Sequence, residues 1–176
     1  MTKSNDLVRI IEGCKAGSAD SFAQLVDIYS SRVYGYFYRL TGDYELSDEL
    51  LSKLFERLVA KIGSYKGGAF ESWLFKIASN IFTDYLRGKQ RRKKLHEIQK
   101  KLLEAKITEP KRSETERFDK LQSQLEKLND DTKELIMLRF YSQLSLKEVA
   151  KIRREPIGTT LSKLHRGLKR LRELME

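Results

Sequence analysis

Residues 145–175 read SLKEVAKIRREPIGTTLSKLHRGLKRLRELM, and this stretch decides the fold. Ser145 and Glu148 have the spacing of a capping box, in which a hydroxyl and a carboxylate cap each other's backbone amides at a helix start. Pro156 suits the first position of a second helix. Apolar residues recur along that helix at steps of four and three: Ile157, Leu161, Leu164, Leu168, Leu171 and Met175. A short capped helix, a brief turn and a longer basic helix predict a helix-turn-helix.

The second of these helices carries hydroxyl and basic side chains on its outer face: Thr159, Ser162, Lys163, Arg166, Lys169 and Arg170. An α-helix fits the major groove of DNA, where such side chains meet base edges and phosphates. The pattern therefore indicates a DNA-reading helix. The alternative is an ordinary helical hairpin with a basic exterior, and the spacing alone favours neither.

Helical periodicity extends over most of the remaining chain. Apolar residues recur at steps of three and four in four further segments: 22–40, 46–62, 70–86 and 121–138. Residues 103–117, which include Pro110, lose this pattern. No strand pattern and no internal repeat is visible. The sequence therefore predicts an all-α fold of two small helical domains, 1–101 and 120–176, joined by a linker over 102–119, with the helix-turn-helix in the C-terminal domain.

Positive charge is concentrated in two blocks. The 176 residues include 35 Lys and Arg against 25 Asp and Glu, a formal net charge of +10. Residues 87–101 carry +7 and residues 151–176 carry +5, so the rest of the chain is slightly acidic. Two separate basic blocks favour two contacts with a polyanion, for which nucleic acid is the usual candidate. Two solvated helix faces are the alternative.

Residues with catalytic or metal-binding chemistry are sparse. Cys14 is the single cysteine, which excludes an internal disulfide and a cysteine zinc cluster. His96 and His165 lie among cations, so we expect no metal site, and without a nucleophile–base pair we expect no catalytic residue and no cofactor. The acidic residues within 43–49 suit a helix start or a partner-facing surface. No signal peptide or membrane-length apolar run is visible, which predicts a cytoplasmic protein without membrane insertion.

Two strings of motifs cover nearly the whole chain. The first half carries Gly42-Asp43, Asp48-Glu49-Leu50, Phe55, the string FESWLFKIASN at 70–80 and Asp84-Tyr85-Leu86-Arg87. The second half carries Leu138-Arg139-Phe140, Leu144-Ser145, Glu148-Val149-Ala150, Pro156-Ile157-Gly158-Thr159 and the string SKLHRGL at 162–168. With these motifs in this order, the chain resembles the extracytoplasmic-function (ECF) group of bacterial RNA polymerase sigma factors.

The resemblance implies a non-catalytic promoter-specificity subunit with a division of labour. One helix of the first domain would bind core RNA polymerase through Asp48, Glu49, Ser52, Lys53, Glu56 and Arg57. The following loop and helix would engage the −10 promoter element through Tyr65, Lys66, Asn80, Asp84, Arg87, Arg91 and Arg92. The second domain would read the −35 element with the outer-face residues of its last helix. Core RNA polymerase, promoter DNA and an anti-sigma factor are the implied partners, and the exposed basic faces predict a monomer when the chain is free.

The chain departs from the pattern of this group at three places. Ser52-Lys53 stands where Gln-Glu is frequent, which reverses a charge on the polymerase-facing helix. Arg153-Arg154-Glu155 stands where Leu-Gly-Val is favoured, and a residue other than glycine at a turn position with positive φ costs about 1 kcal/mol. Leu161 stands where a basic contact to DNA is common.

Two other classes of function stay open at this point. The first is a DNA-binding regulator of the same fold that does not recruit core polymerase, which Ser52-Lys53 favours. The second is a helical protein–protein adaptor whose basic blocks are only a solvated coat. Steeply salt-dependent DNA binding would exclude the adaptor, because it reports the neutralisation of several phosphates.

Overall fold

All regular structure in the described part of the chain is helical. The computed structural model describes the backbone of residues 2–102 and 120–176 and the side chains of residues 6–95 and 120–176. Within these ranges no strand occurs, so the predicted all-α fold class is confirmed. Apart from Leu102, the last residue of a helix, the predicted linker lies outside the described residues.

The first unit consists of four α-helices and one 3₁₀ turn: α1 (Thr2–Lys15), α2 (Ala19–Thr41), α3 (Tyr44–Lys61), the turn Ile62–Ser64, and α4 (Phe70–Leu102). Ser18 caps α2 by accepting a hydrogen bond from the Ser21 amide at 3.3 Å. Gly42 ends α2 with φ 68°, and Asp43 then caps α3 by accepting from the Leu46 amide at 3.0 Å. These caps fix the sharp turn that sets α3 beside α2.

Aromatic and aliphatic side chains from α2, α3 and α4 form the core of this unit. Tyr36, Phe37, Phe75 and Phe82 are among the largest fully buried side chains. Tyr36 and Phe75 meet edge to face with their ring centroids 5.3 Å apart. Truncation of such a ring to alanine costs about 3–5 kcal/mol. The core therefore holds α4 rigidly against α2 and α3, which positions the exposed side of α4.

The second unit contains α5 (Lys120–Leu125), α6 (Asp130–Ile136), a π-helical segment (Met137–Tyr141), α7 (Leu146–Arg153) and α8 (Ile157–Met175). Ser145 and Glu148 form the predicted capping box at the start of α7, with both reciprocal hydrogen bonds present. Helix α8 begins one residue later than we expected, because Pro156 is its N-cap and not its first helical residue. The helix-turn-helix is otherwise where the spacing placed it.

The turn between α7 and α8 contains a residue with positive φ. Arg154 takes the left-handed conformation, φ 56° and ψ 41°, as the C-cap of α7. This is the backbone state that glycine adopts at little cost and that an L side chain resists by about 1–2 kcal/mol. The sequence thus places a strained arginine at the corner of the helix-turn-helix.

The two units pack against each other through polar contacts and a close helix approach. Lys133 donates to the Leu40 carbonyl at 3.1 Å, and Arg32 donates to the Ser142 carbonyl at 2.6 Å. A Cβ at Gly35 would lie 1.9 Å from the Tyr141 hydroxyl oxygen, so only glycine allows the π-helical segment this close to α2. Nothing in the sequence indicates this packing, because these two hydrogen bonds join residues 93 and 110 positions apart.

Candidate nucleic-acid and polymerase interfaces

The outer face of α8 is basic and open to solvent. Its buried side contacts the rest of the second unit through Thr160, Leu164 and Gly167. A Cβ at Gly167 would lie 2.5 Å from Thr132 Cγ2, so this glycine brings α8 close to α6. Five of the six residues predicted to read the −35 element are exposed on the opposite side: Thr159, Ser162, Arg166, Lys169 and Arg170.

The remaining residue of that set, Lys163, is held by neighbouring carboxylates. Its ammonium lies 2.8 Å from Glu155 Oε1 and 3.7 Å from Asp131 Oδ2. Ser162 is exposed, but its hydroxyl donates to the Gly158 carbonyl at 2.9 Å. Lys163 would have to exchange an internal partner before its ammonium could contact DNA, whereas the Ser162 hydroxyl can still accept a hydrogen bond but has no proton left to donate.

A buried arginine braces the turn before α8. The Arg153 side chain is 5% exposed and pairs with Asp131, with Glu134 at 3.2 Å and with Glu155 at 3.3 Å. Loss of one partner from a buried ion pair typically costs 3–5 kcal/mol, because the remaining charge is left uncompensated. Arg153 therefore replaces the apolar contact of the usual Leu-Gly-Val turn with a charged cluster that orients α8.

Helix α4 carries the residues predicted for the −10 element along one exposed side. Asn80, Asp84 and Arg87 are all exposed. Asp84 and Arg87 also line an open groove of about 500 Å³, together with Gln90, Arg91 and Lys94. The cations outnumber the one acid here, so the groove suits a phosphate backbone. Arg92, the last of the predicted −10 contacts, is also exposed.

Asp84 joins this surface to the one predicted to bind polymerase. Its carboxylate accepts from both terminal nitrogens of Arg57 on α3, at 3.1 and 3.2 Å, and lies 3.8 Å from Arg87. The pair is exposed, so it adds little stability, but it fixes two surfaces relative to each other. If Arg57 exchanged Asp84 for another partner, the ion pair between Asp84 and Arg87 would change as well.

The loop between α3 and α4 differs from our expectation at one residue. Lys66 is exposed, but Tyr65 is buried, with its ring 5.3 Å from that of Phe70 and 5.4 Å from that of Trp73. The Tyr65 hydroxyl donates to the Gly68 carbonyl at 2.7 Å. In this arrangement the ring is unavailable to stack on a base, and Tyr65 instead holds the loop in shape.

The polymerase-facing residues of α3 lie along one side of that helix. Asp48, Glu49, Ser52, Lys53 and Glu56 are exposed, and Arg57 is half-buried. Lys53 forms an ion pair with Glu49 one turn earlier. Lys53 therefore both reverses a charge relative to the usual pattern and covers a neighbouring carboxylate.

Sequence reasoning missed a buried polar contact between the two units. Ser79 on α4 donates to Glu134 Oε1 on α6 at 2.6 Å. Burial raises the pKa of the Glu134 carboxyl, although the Ser79 hydrogen bond and the Arg153 charge lower it in part. Glu134 follows the pattern of a surface residue in the sequence, so nothing in the sequence marks it as buried.

A second missed feature is a ladder of tyrosines on α2 and at the start of α3. The rings of Tyr34 and Tyr38 stack with centroids 6.3 Å apart, and those of Tyr38 and Tyr44 with centroids 4.6 Å apart. A hydrogen bond with Tyr44 and burial raise the pKa of Tyr38 to about 12. The spacing of Tyr34 and Tyr38, one helical turn, is the signal that could have revealed it.

Comparison with known proteins agrees with this geometry. Sigma-70 region 2 matches residues 25–92, and Sigma-70, region 4 matches residues 124–173. The ECF RNA polymerase sigma factor SigW of Bacillus subtilis is 28% identical over 174 residues, which cover 93% of each chain. The ECF RNA polymerase sigma factor BldN of Streptomyces coelicolor is 31% identical, over 96% of this chain and 66% of that protein.

A solved structure has the same fold. The sigma factor RpoE of Bartonella quintana, in complex with the anti-sigma factor NepR, superposes with a TM-score of 0.69 at 23% identity. The match covers 89% of this chain and 98% of that one. The two matched regions define a sigma-70-type factor. Within that class, the chain belongs to the ECF group of RNA polymerase sigma factors, as the resemblance of its motifs indicated.

The chain is accordingly a promoter-recognising sigma subunit of RNA polymerase. Sigma factors are transcription initiation factors. Across the residues that the structure describes, no helix is both long and apolar enough to cross a membrane. The same residues contain no group of three or more potential metal ligands.

Proposed function

We propose that the two units divide promoter recognition as the sequence motifs imply, with α4 on the −10 element, α8 on the −35 element and α3 on core polymerase. The observation that carries this proposal is the separation of the basic surfaces. One lies along α4 beyond Asp84 and the other along α8, and each belongs to a different unit.

At the −10 element, Asn80, Asp84 and Arg87 supply an amide, a carboxylate and a guanidinium on successive turns of α4. These groups offer both donors and acceptors to bases, while Arg91, Arg92 and Lys66 would neutralise phosphates. The adjacent basic groove follows the helix and would guide one DNA strand. In this proposal Tyr65 holds the loop in shape and does not contact a base, because its ring is buried.

At the −35 element, Arg166, Lys169 and Arg170 lie on the exposed side of α8 and would contact phosphates. Thr159 and Ser162 lie nearer the start of the helix, the part that reaches base edges in a helix-turn-helix. Lys163 supports the turn through Glu155 and Asp131 until DNA competes for it.

The core-binding role is assigned to α3. Asp48, Glu49, Ser52, Lys53, Glu56 and Arg57 form its exposed or half-buried side, in contact with Asp84 of α4 through Arg57. We infer that polymerase binding and −10 recognition share this junction. The protein would act without catalysis, in the cytoplasm, and a free chain would be a monomer with its domains at 1–101 and 120–176. We also propose an anti-sigma factor as a binding partner of the chain.

The experiment is co-elution of the purified chain with sigma-free bacterial core RNA polymerase at moderate salt. We expect a stable 1:1 complex, and we expect Lys53→Glu to bind at least as tightly, because it restores the usual charge on α3. Lys127→Glu, a reversal at an exposed site of the second unit, is the matched control and should leave binding unchanged. If neither the native chain nor Lys53→Glu binds while DNA binding persists, the chain is a DNA-binding regulator and this assignment is wrong.

A further inference from the structure

Two apolar side chains are exposed at the start of the DNA-reading helix. Ile157 is 51% exposed and Leu161 is 53% exposed, one turn apart on α8. The middle of the apolar stripe of this helix is directed inward, with Leu164 buried and Leu168 and Leu171 partly buried against the core. Ile157 and Leu161 are thus the large apolar residues in the first half of α8 that the core leaves uncovered.

The polar residues beside them are engaged within the protein. The Ser162 hydroxyl donates to the Gly158 carbonyl, and the Lys163 ammonium pairs with Glu155. Thr159, which is also predicted to read base edges near the start of α8, makes no side-chain hydrogen bond or ion pair with any of the described residues. The exposed groups at the start of α8 that have no partner among the described residues are therefore largely apolar.

The charges around the apolar pair indicate what covers it. Residues 157–168 contain no acidic side chain, the nearby Glu155 is paired with Arg153 and Lys163, and the cations Arg154, Arg166 and Lys169 before and after the apolar pair are exposed. Such a rim is complementary to phosphates and repels another basic surface. The occupant that combines flanking phosphates with an apolar centre is the major groove of DNA, in which the C5-methyl of thymine is the apolar group on a base edge.

We propose that Ile157 and Leu161 read thymine methyl groups in the −35 element, and that this contact replaces the basic one usual at position 161. The inference rests on the proposed role of α8. One helical turn rises 5.4 Å, and successive base pairs are 3.4 Å apart. The two side chains therefore reach neighbouring or next-neighbouring base pairs, so the chain selects a pair of thymines close together.

The test uses holoenzyme assembled from the full chain and core polymerase. Promoter DNA is first selected from a pool randomised over the promoter region, and each thymine of the selected −35 element is then replaced singly by deoxyuridine. This exchange removes the methyl group and leaves the hydrogen-bonding pattern intact. Loss of one buried methyl weakens binding about fourfold. We expect that loss at two nearby positions, and we expect Leu161→Ala to abolish the difference at one of them.

Met175→Ala is the matched control, because Met175 is a partly exposed apolar residue at the far end of the same helix. It should retain full sensitivity to deoxyuridine. Equal binding of thymine and uracil DNA by the native holoenzyme overturns the inference, as does a −35 element selected without thymine. If Leu161→Ala weakens binding to core polymerase in the absence of DNA and leaves the uracil effect unchanged, the apolar pair contacts polymerase instead. A holoenzyme that selects no promoter sequence at all refutes the proposed function itself.

Discussion

Substitution of Arg154 by glycine should stabilise the protein. Arg154 has φ 56° and ψ 41°, a conformation that costs an L residue about 1–2 kcal/mol and costs glycine little. Glycine also gains up to about 1 kcal/mol of backbone entropy in the unfolded chain, which offsets part of the benefit. The side chain is exposed and makes no ion pair among the described residues, so its removal loses little. The net gain should be about 0.5–1 kcal/mol.

Urea denaturation followed by circular dichroism measures this change in the free energy of unfolding. Lys151→Gly is the matched control, because Lys151 is also exposed and basic but lies inside α7 with helical geometry. There the same substitution should destabilise the protein by about 1 kcal/mol. Arg154→Ala removes the charge without relieving the backbone and should bring no comparable gain. If Arg154→Gly is neutral or destabilising, or if Lys151→Gly stabilises equally, the argument from backbone conformation is refuted.

Four further predictions concern the unit interface and the DNA surfaces. Ser79→Ala should destabilise the protein by about 1–3 kcal/mol in urea denaturation, because it leaves Oε1 of the buried Glu134 carboxylate without its Ser79 donor. Burial raises the pKa of Glu134, so its contribution to the free energy of unfolding should be full below the ordinary glutamate pKa and should decline as pH rises through the raised value. Glu134→Gln should remove this dependence from the stability–pH curve. Asn80→Ala should reduce promoter opening, measured with permanganate, more than it reduces polymerase binding. Arg166→Ala should lower the slope of log affinity against log salt by about one for −35 DNA.

Each of these has a contradicting outcome. Ser162→Ala is the control for Ser79→Ala, because the exposed Ser162 hydroxyl bonds a carbonyl of its own helix. Equal losses of stability in the two variants would show that the Ser79 contact with Glu134 adds nothing. An unchanged stability–pH curve in Glu134→Gln would contradict the raised pKa. Equal losses of opening and polymerase binding would remove Asn80 from the −10 surface. An unaltered salt slope would place Arg166 away from phosphate.

The local features of this fold could be predicted because their physics is local. The capping box at Ser145 and Glu148 depends on residues within a few positions, and the structure has it where the sequence placed it. The break between segments 22–40 and 46–62 is equally local, since Gly42 ends α2 and Asp43 caps α3. The left-handed conformation at Arg154 was indicated by the resemblance, because the family favours glycine at this position of the turn. Helix periodicity located the buried side of α8 only in part, because Leu164 of the apolar stripe is buried while Ile157 and Leu161 are exposed.

The contacts between the units could not be predicted in this way. Glu134 and Lys133 are charged residues that ordinarily lie at the surface, yet both are buried because Ser79 and the Leu40 carbonyl happen to face them. The resemblance implied that Tyr65 contacts the −10 element, but its ring packs against those of Phe70 and Trp73 instead. Such outcomes depend on partners that are distant in sequence or on the choice between two aromatic environments.

The junction between the two units has a consequence for the lifetime of their association. Its polar contacts use two backbone carbonyls and one serine hydroxyl, and water can satisfy every one of these groups once the units part. Each such hydrogen bond is worth only about 0.5–1.5 kcal/mol net, or up to about 3 kcal/mol where a charge takes part. The buried apolar side chains of both units belong to one continuous cluster, so separation of the units would also expose apolar surface to water. The lifetime of the association is therefore set by apolar burial together with these exchangeable hydrogen bonds, and the hydrogen bonds alone do not determine it.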